Sequence, residues 1–129
     1  MDTEKLQIKV IKKTYHMKII LHATNTFESP FWDGASNELG TYKSFIFENK
    51  EYKIKFKGFK QWYAKSNQYD PFLFEEDFNP EGMDKWISKG YEFAMMLREL
   101  LPKEIEVCYG FYQYLAGEWR FCSSNVDIK

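Results

Sequence analysis

Apolar and polar residues alternate along Leu6-Gln7-Ile8-Lys9-Val10-Ile11-Lys12, and again along Tyr15-His16-Met17-Lys18-Ile19-Ile20-Leu21-His22. A period of two is that of a half-buried strand. Both segments are expected as strands, either a hairpin turning at Lys12-Lys13-Thr14 or one long bent strand. In the second, Tyr15, Met17, Ile19 and Leu21 share one face, and His16, Lys18 and His22 the other. Residues 24–40 break the pattern with turn chemistry in which Phe27, Phe31 and Trp32 are embedded, and read as a long loop. Alternation returns in 42–48 and 52–57, a hairpin turning at Asn49-Lys50, with Tyr52, Ile54 and Phe56 inward and Lys53, Lys55 and Lys57 outward. Gly58 reads as a bulge, and 64–82 as a second irregular stretch.

The period then changes. From Asn79, an N-cap with Pro80 at the first helical position, apolar residues recur at three- and four-residue steps: Met83, Ile87, Gly90, Ala94, Leu97 and Leu101. Trp86, Tyr91, Phe93 and Leu100 widen that face, and Pro102 ends the helix. Ile105, Val107, Tyr109 and Phe111 alternate again, as do Trp119 and Phe121 after the turn Leu115-Ala116-Gly117-Glu118. The expected fold is α+β: an antiparallel sheet with one long helix, about residues 79–102, packed on one face, and a C-terminal β-hairpin.

Length makes this one domain, residues 1–129, and 44% hydrophobic with 29% charged residues makes it globular. The formal net charge is −1, which argues against a general nucleic-acid binder. It hides an asymmetry: residues 1–65 carry 12 lysines against 7 acids, and residues 66–129 carry 6 Lys/Arg against 12 acids. No apolar run is as long as a membrane span, and the first residues lack a signal peptide's apolar core, so a cytoplasmic location without membrane contact is expected.

Catalytic motifs are absent: no glycine-rich phosphate loop, HExxH, GxSxG or CxxC. His16 and His22 lie six residues apart on one strand, roughly 20 Å at about 3.3 Å per residue, too far to share a metal or a proton. Either could serve singly as an acid or base, although a surface or interface role is the commoner one. Cys108 and Cys122 sit on the two arms of the C-terminal hairpin. If Tyr109 and Trp119 both face the core, the cysteines share the other face and a cross-strand bridge is conceivable; reduced thiols are the cytoplasmic default. Two cysteines alone make no zinc site. No cofactor, no metal and no enzymatic activity are expected.

Two surface features point to partners. Lys53, Lys55 and Lys57 form a basic stripe, but their aromatic neighbours Tyr52 and Phe56 lie on the opposite face, so phosphate contacts and base stacking are not aligned. Glu75, Glu76 and Asp77 precede the helix in a loop that also shows Phe72, Phe74 and Phe78. Aromatic anchors flanked by carboxylates suit recognition of a basic protein surface. Phe72, Phe74, Glu75, Glu76 and Asp77, with Trp32 of the other long loop beside them, are the candidate partner-binding residues.

The helix Gly90–Leu101, the strand Ile105-Glu106-Val107 and the acid-aromatic loop 72–78 resemble those of small immunity proteins of bacterial toxin systems, including contact-dependent growth inhibition, over less than half of the chain. The resemblance implies a cytoplasmic inhibitor that binds a cognate toxin, and an acidic patch would suit a basic nuclease. An adaptor or phage-encoded interaction protein stays open as an alternative, as does a single-strand nucleic-acid binder using Lys53, Lys55 and Lys57.

Overall fold

The computed structural model describes residues 17–24, 28–70 and 81–127. Strand β1 is Lys18–Leu21, β2 Phe31–Asp33, β3 Ser44–Phe47 and β4 Lys50–Lys53. Helix α1, Phe59–Ala64, runs into a 3-10 segment, Lys65–Tyr69; helix α2 is Met83–Leu100, and β5, Glu106–Leu115, pairs with β6, Glu118–Asn125. The α+β class, the long helix and the C-terminal hairpin are all present. The sheet is mixed rather than antiparallel: its order is β2-β1-β5-β6, and β1 runs parallel to β5. β3 and β4 form a separate two-stranded ribbon.

Helix α2 starts at Met83, three residues later than the sequence suggests, with Gly82 as the N-cap at φ 81°. That left-handed conformation costs glycine nothing. Asn79 and Pro80 lie outside the described residues, as do the expected strand at 6–12 and His16. At the other end Leu101 is extended (ψ 151°), as a residue before proline must be. The buried face is Met83, Trp86, Gly90, Phe93, Ala94 and Leu97. Ile87 is half-buried, and Tyr91 and Leu100, expected to widen the face, are 36% and 39% exposed. The buried stripe is therefore narrower than the apolar residues alone imply.

The inner face of the sheet carries Ile19, Leu21, Phe31, Val107 and Tyr109, all nearly or fully buried. Against it pack α2, α1 and the β3–β4 ribbon. Phe31 lies 4.7 Å from the Phe45 ring and 5.7 Å from Phe59, and Phe59 meets Phe93 at 5.1 Å. α2 comes closest to the sheet at Gly90, where an added Cβ would sit 2.1 Å from Tyr109 Oη and 2.4 Å from Trp62 Cζ2. Tyr109 Oη donates to the Ile87 carbonyl at 2.9 Å. Trp62 and Trp86 stack at 4.8 Å, and each indole N–H donates to the other's carbonyl, at 2.8 and 2.9 Å. These reciprocal bonds satisfy two buried donors and fix α1 against α2.

Three local expectations change. The stretch 24–40 contains β2, whose Phe31 is wholly buried. Gly58, with φ 83°, opens α1 instead of making a bulge. The ribbon turns at Glu48-Asn49, both at positive φ (51° and 64°), one residue earlier than expected, so Phe47 pairs with Lys50.

Candidate protein-binding face

The second, outer face of the four-stranded sheet holds a different set of side chains. Pairing fixes which ones. Ile20 pairs with Trp32 and with Cys108, while Tyr112 pairs with Phe121 and Tyr114 with Trp119. Paired residues share a face, so Trp32, Ile20, Cys108, Gly110, Tyr112, Tyr114, Trp119 and Phe121 lie together. β1 accompanies β5 only as far as Tyr109, and the rest of the hairpin, to Leu115, continues past it as a two-stranded ribbon.

His22 follows β1 on this face. Its Nδ1 lies 3.2 Å from the Gly110 carbonyl, which can only accept, so Nδ1 carries the proton. The ring meets Tyr112 edge-on at 5.4 Å and Phe121 edge-on at 5.1 Å. Phe121 closes over Gly110, where a Cβ would stand 2.9 Å from Phe121 Cζ. Trp32 is tied in by its indole N–H, which donates to the His22 carbonyl at 3.0 Å. Tyr114 and Trp119 pair farther along the ribbon at 5.2 Å.

Thr24 donates to Asp70 Oδ2 at 2.7 Å, and both residues are 6% exposed. Burial lowers the pKa of His22 from its ordinary value; the Gly110 carbonyl and the Asp70 charge oppose the shift without cancelling it. Tyr112 is held above the usual phenol range by burial and by Asp70. His22 is thus a neutral ring whose proton is committed to a backbone carbonyl, while Asp70 is engaged by Thr24. That geometry braces the face. Among the described residues, no group of three or more His, Cys, Asp or Glu side chains is arranged to hold a metal ion.

Of the candidate partner-binding residues, Trp32 is half-buried on this face. Phe72, Phe74, Glu75, Glu76 and Asp77 lie outside the described residues. The sequence reading missed Phe121, Tyr112 and His22 as a group, because it put Trp119 on the same face as Tyr109. The Ala116-Gly117 turn holds both residues at positive φ (53° and 81°), and that two-residue turn sets Leu115 opposite Glu118 and Trp119 opposite Tyr114. Phe111 then pairs with Cys122 and Cys108 with Asn125, so the cysteines occupy opposite faces and the register forbids a bridge between them. Cys108 is buried, and its thiol is pushed up to about 11 by burial first and the Glu106 charge second.

The lysine stripe is exposed at Lys53, Lys55 and Lys57, while Tyr52 is buried and Ile54 and Phe56 are half-buried, as the alternation predicts. No helix among the described residues is long and apolar enough to cross a membrane. Comparison with family models, with curated proteins and with solved structures gives no match for this chain.

Proposed function

We propose that this chain is a non-catalytic cytoplasmic inhibitor of the immunity type, which neutralises a cognate bacterial toxin by direct binding. The observation that carries the reading is Phe121, which is 51% exposed yet locked in place against His22, Tyr112 and Gly110. A rigid, exposed aromatic on a braced sheet face loses little entropy on binding and has the character of an interface anchor. Tyr114, 39% exposed, extends the apolar surface along the ribbon. Trp32 belongs to the same face, and the carboxylates Glu75, Glu76 and Asp77 supply the attraction to a basic partner.

The nucleic-acid alternative has less support, because the lysines at 53, 55 and 57 point away from the aromatic residues beside them. Co-expression with the product of the adjacent gene is the test. The expected outcome is a stable complex in which toxin activity is suppressed stoichiometrically. Tight binding of single-stranded nucleic acid, with no protein partner encoded nearby, would overturn the reading.

A further inference from the structure

On the helix side of the sheet, away from the outer face, α1 and α2 flank an open cleft of about 800 Å³. Its volume is that of a site for a small ligand or a short chain segment. Trp62, Trp86 and Tyr69 form its aromatic lining, and the Tyr69 ring lies 5.1 Å from Trp86. The floor is rigid, since the two indoles are stacked and hydrogen-bonded to each other's backbone. Lys65, Lys85 and Lys89 stand around the opening. Lys57 and Lys60, both exposed, extend the positive surface past Gly58 at one end. Asp84 and Glu92 are the acids on the lining; Glu92 pairs with Lys89 at 3.9 Å, so those two charges offset each other and Lys65 and Lys85 carry the excess over Asp84.

We propose that this cleft is a second binding site, for an acidic segment of a partner protein that lays an aliphatic side chain in the mouth of the cleft, over the Trp62–Trp86 floor. Positive charge at the rim attracts carboxylates, and the apolar lining accepts the side chain between them. Two features favour a peptide over a nucleic acid. Trp62 and Trp86 are 4% and 8% exposed and stacked on each other, so neither offers a free face for a base. Asp84 and Glu92 interrupt the lysines, which a continuous phosphate backbone would not tolerate well but spaced carboxylates can avoid. The site shares no residue with the outer face.

The test uses the full chain and a fluorescein-labelled peptide, Asp-Glu-Glu-Leu-Phe-Glu-Asp, followed by anisotropy. The wild type should bind it, and should not bind the same peptide with lysine at every acidic position. Lys85→Glu/Lys89→Glu should weaken binding by roughly tenfold or more. Ser88→Phe, which fills the cleft without changing charge, should abolish it, while Lys50→Glu/Lys53→Glu on the distant ribbon should leave it within about twofold. Thermal melts confirm that each variant is folded. Absence of binding by the acidic peptide, equal weakening by both lysine pairs, or indifference to Ser88→Phe in folded protein overturns the site. Tighter binding of a short oligodeoxythymidylate that Ser88→Phe removes would show that the cleft takes nucleic acid instead.

Discussion

Gly90 is where one hydrogen atom in place of a methyl group decides how close a helix can lie to its sheet. In an exposed helix, alanine would stabilise this position by about 1 kcal/mol. Here the added carbon meets Tyr109 Oη at 2.1 Å and Trp62 Cζ2 at 2.4 Å, and both side chains are held by hydrogen bonds. Overpacking of this kind costs about 1–3 kcal/mol. Gly90→Ala should therefore lower the melting temperature, and Gly90→Ala combined with Tyr109→Phe should recover part of the loss, since the hydroxyl makes the nearest contact. His22 gives a second prediction at this scale. Burial holds its folded pKa below the ordinary 6.5, so the unfolded chain takes up the proton first as pH falls. Stability is full above pH 6.5 and declines as pH drops below it towards the folded value. His22→Gln, which can still donate to the Gly110 carbonyl, should flatten the decline in melting temperature between about pH 7 and pH 5. Equal slopes in the two proteins would mean that His22 is not buried as described.

At the scale of elements, helix α2 and the start of β5 were legible because each has a single period and one buried face. Ala94 and Leu97 are both fully buried, as their spacing predicts, and Asp at either should cost roughly 3 kcal/mol or more by burying an unpaired charge. Unchanged melting of those variants would put the buried face elsewhere. Other elements were not legible, for reasons that can be named. α1 is six residues long, too short for a 3.6-residue period to show, and its Phe59, Trp62 and Tyr63 look like strand residues. β2 has three residues and owes its place to pairing with β1, which no local pattern encodes. The parallel partnership of β1 with β5 is equally non-local. In the hairpin, alternation was visible on each arm, but the relation between arms depends on turn geometry; a two-residue turn moves Trp119 and Phe121 to the outer face. Labelling checks the burial of the two thiols. Cys122, half-buried, should react with iodoacetamide in native protein at pH 8 well before Cys108, which is buried with its pKa at about 11. A Cys108 that reacts first would contradict its burial beneath the outer face.

The whole molecule separates its surfaces by chemistry. Lysines line the β3–β4 ribbon and the α1–α2 cleft, whereas the far side of the sheet presents an aromatic face braced by His22 and Trp32. The unequal charge of the two sequence halves foreshadows this division, but only the pairing of the strands reveals the aromatic face. Trp32 was legible as a loop aromatic; its place on the same sheet face as Phe121 was not, because it rests on pairings between residues separated by most of the chain. The proposed inhibitor uses the aromatic face for desolvated contact and Glu75, Glu76 and Asp77 for attraction, so the two contributions should separate kinetically. Charge reversal at Glu75 and Glu76 should slow association and flatten its dependence on salt.

The measurement that tests the central claim most directly is the dissociation rate of the complex with the proposed toxin partner, sought as the product of the adjacent gene, compared between wild type and Phe121→Ala. Phe121 packs on the outer face and not in the core, so its truncation leaves the protein folded, and a change in the rate measured on the folded variant reports on binding. The predicted result is dissociation faster by a factor corresponding to about 2 kcal/mol. A complex unaffected by Phe121→Ala, but weakened by Lys53→Glu/Lys55→Glu on the ribbon, would contradict the claim and move the interface to the basic side of the molecule.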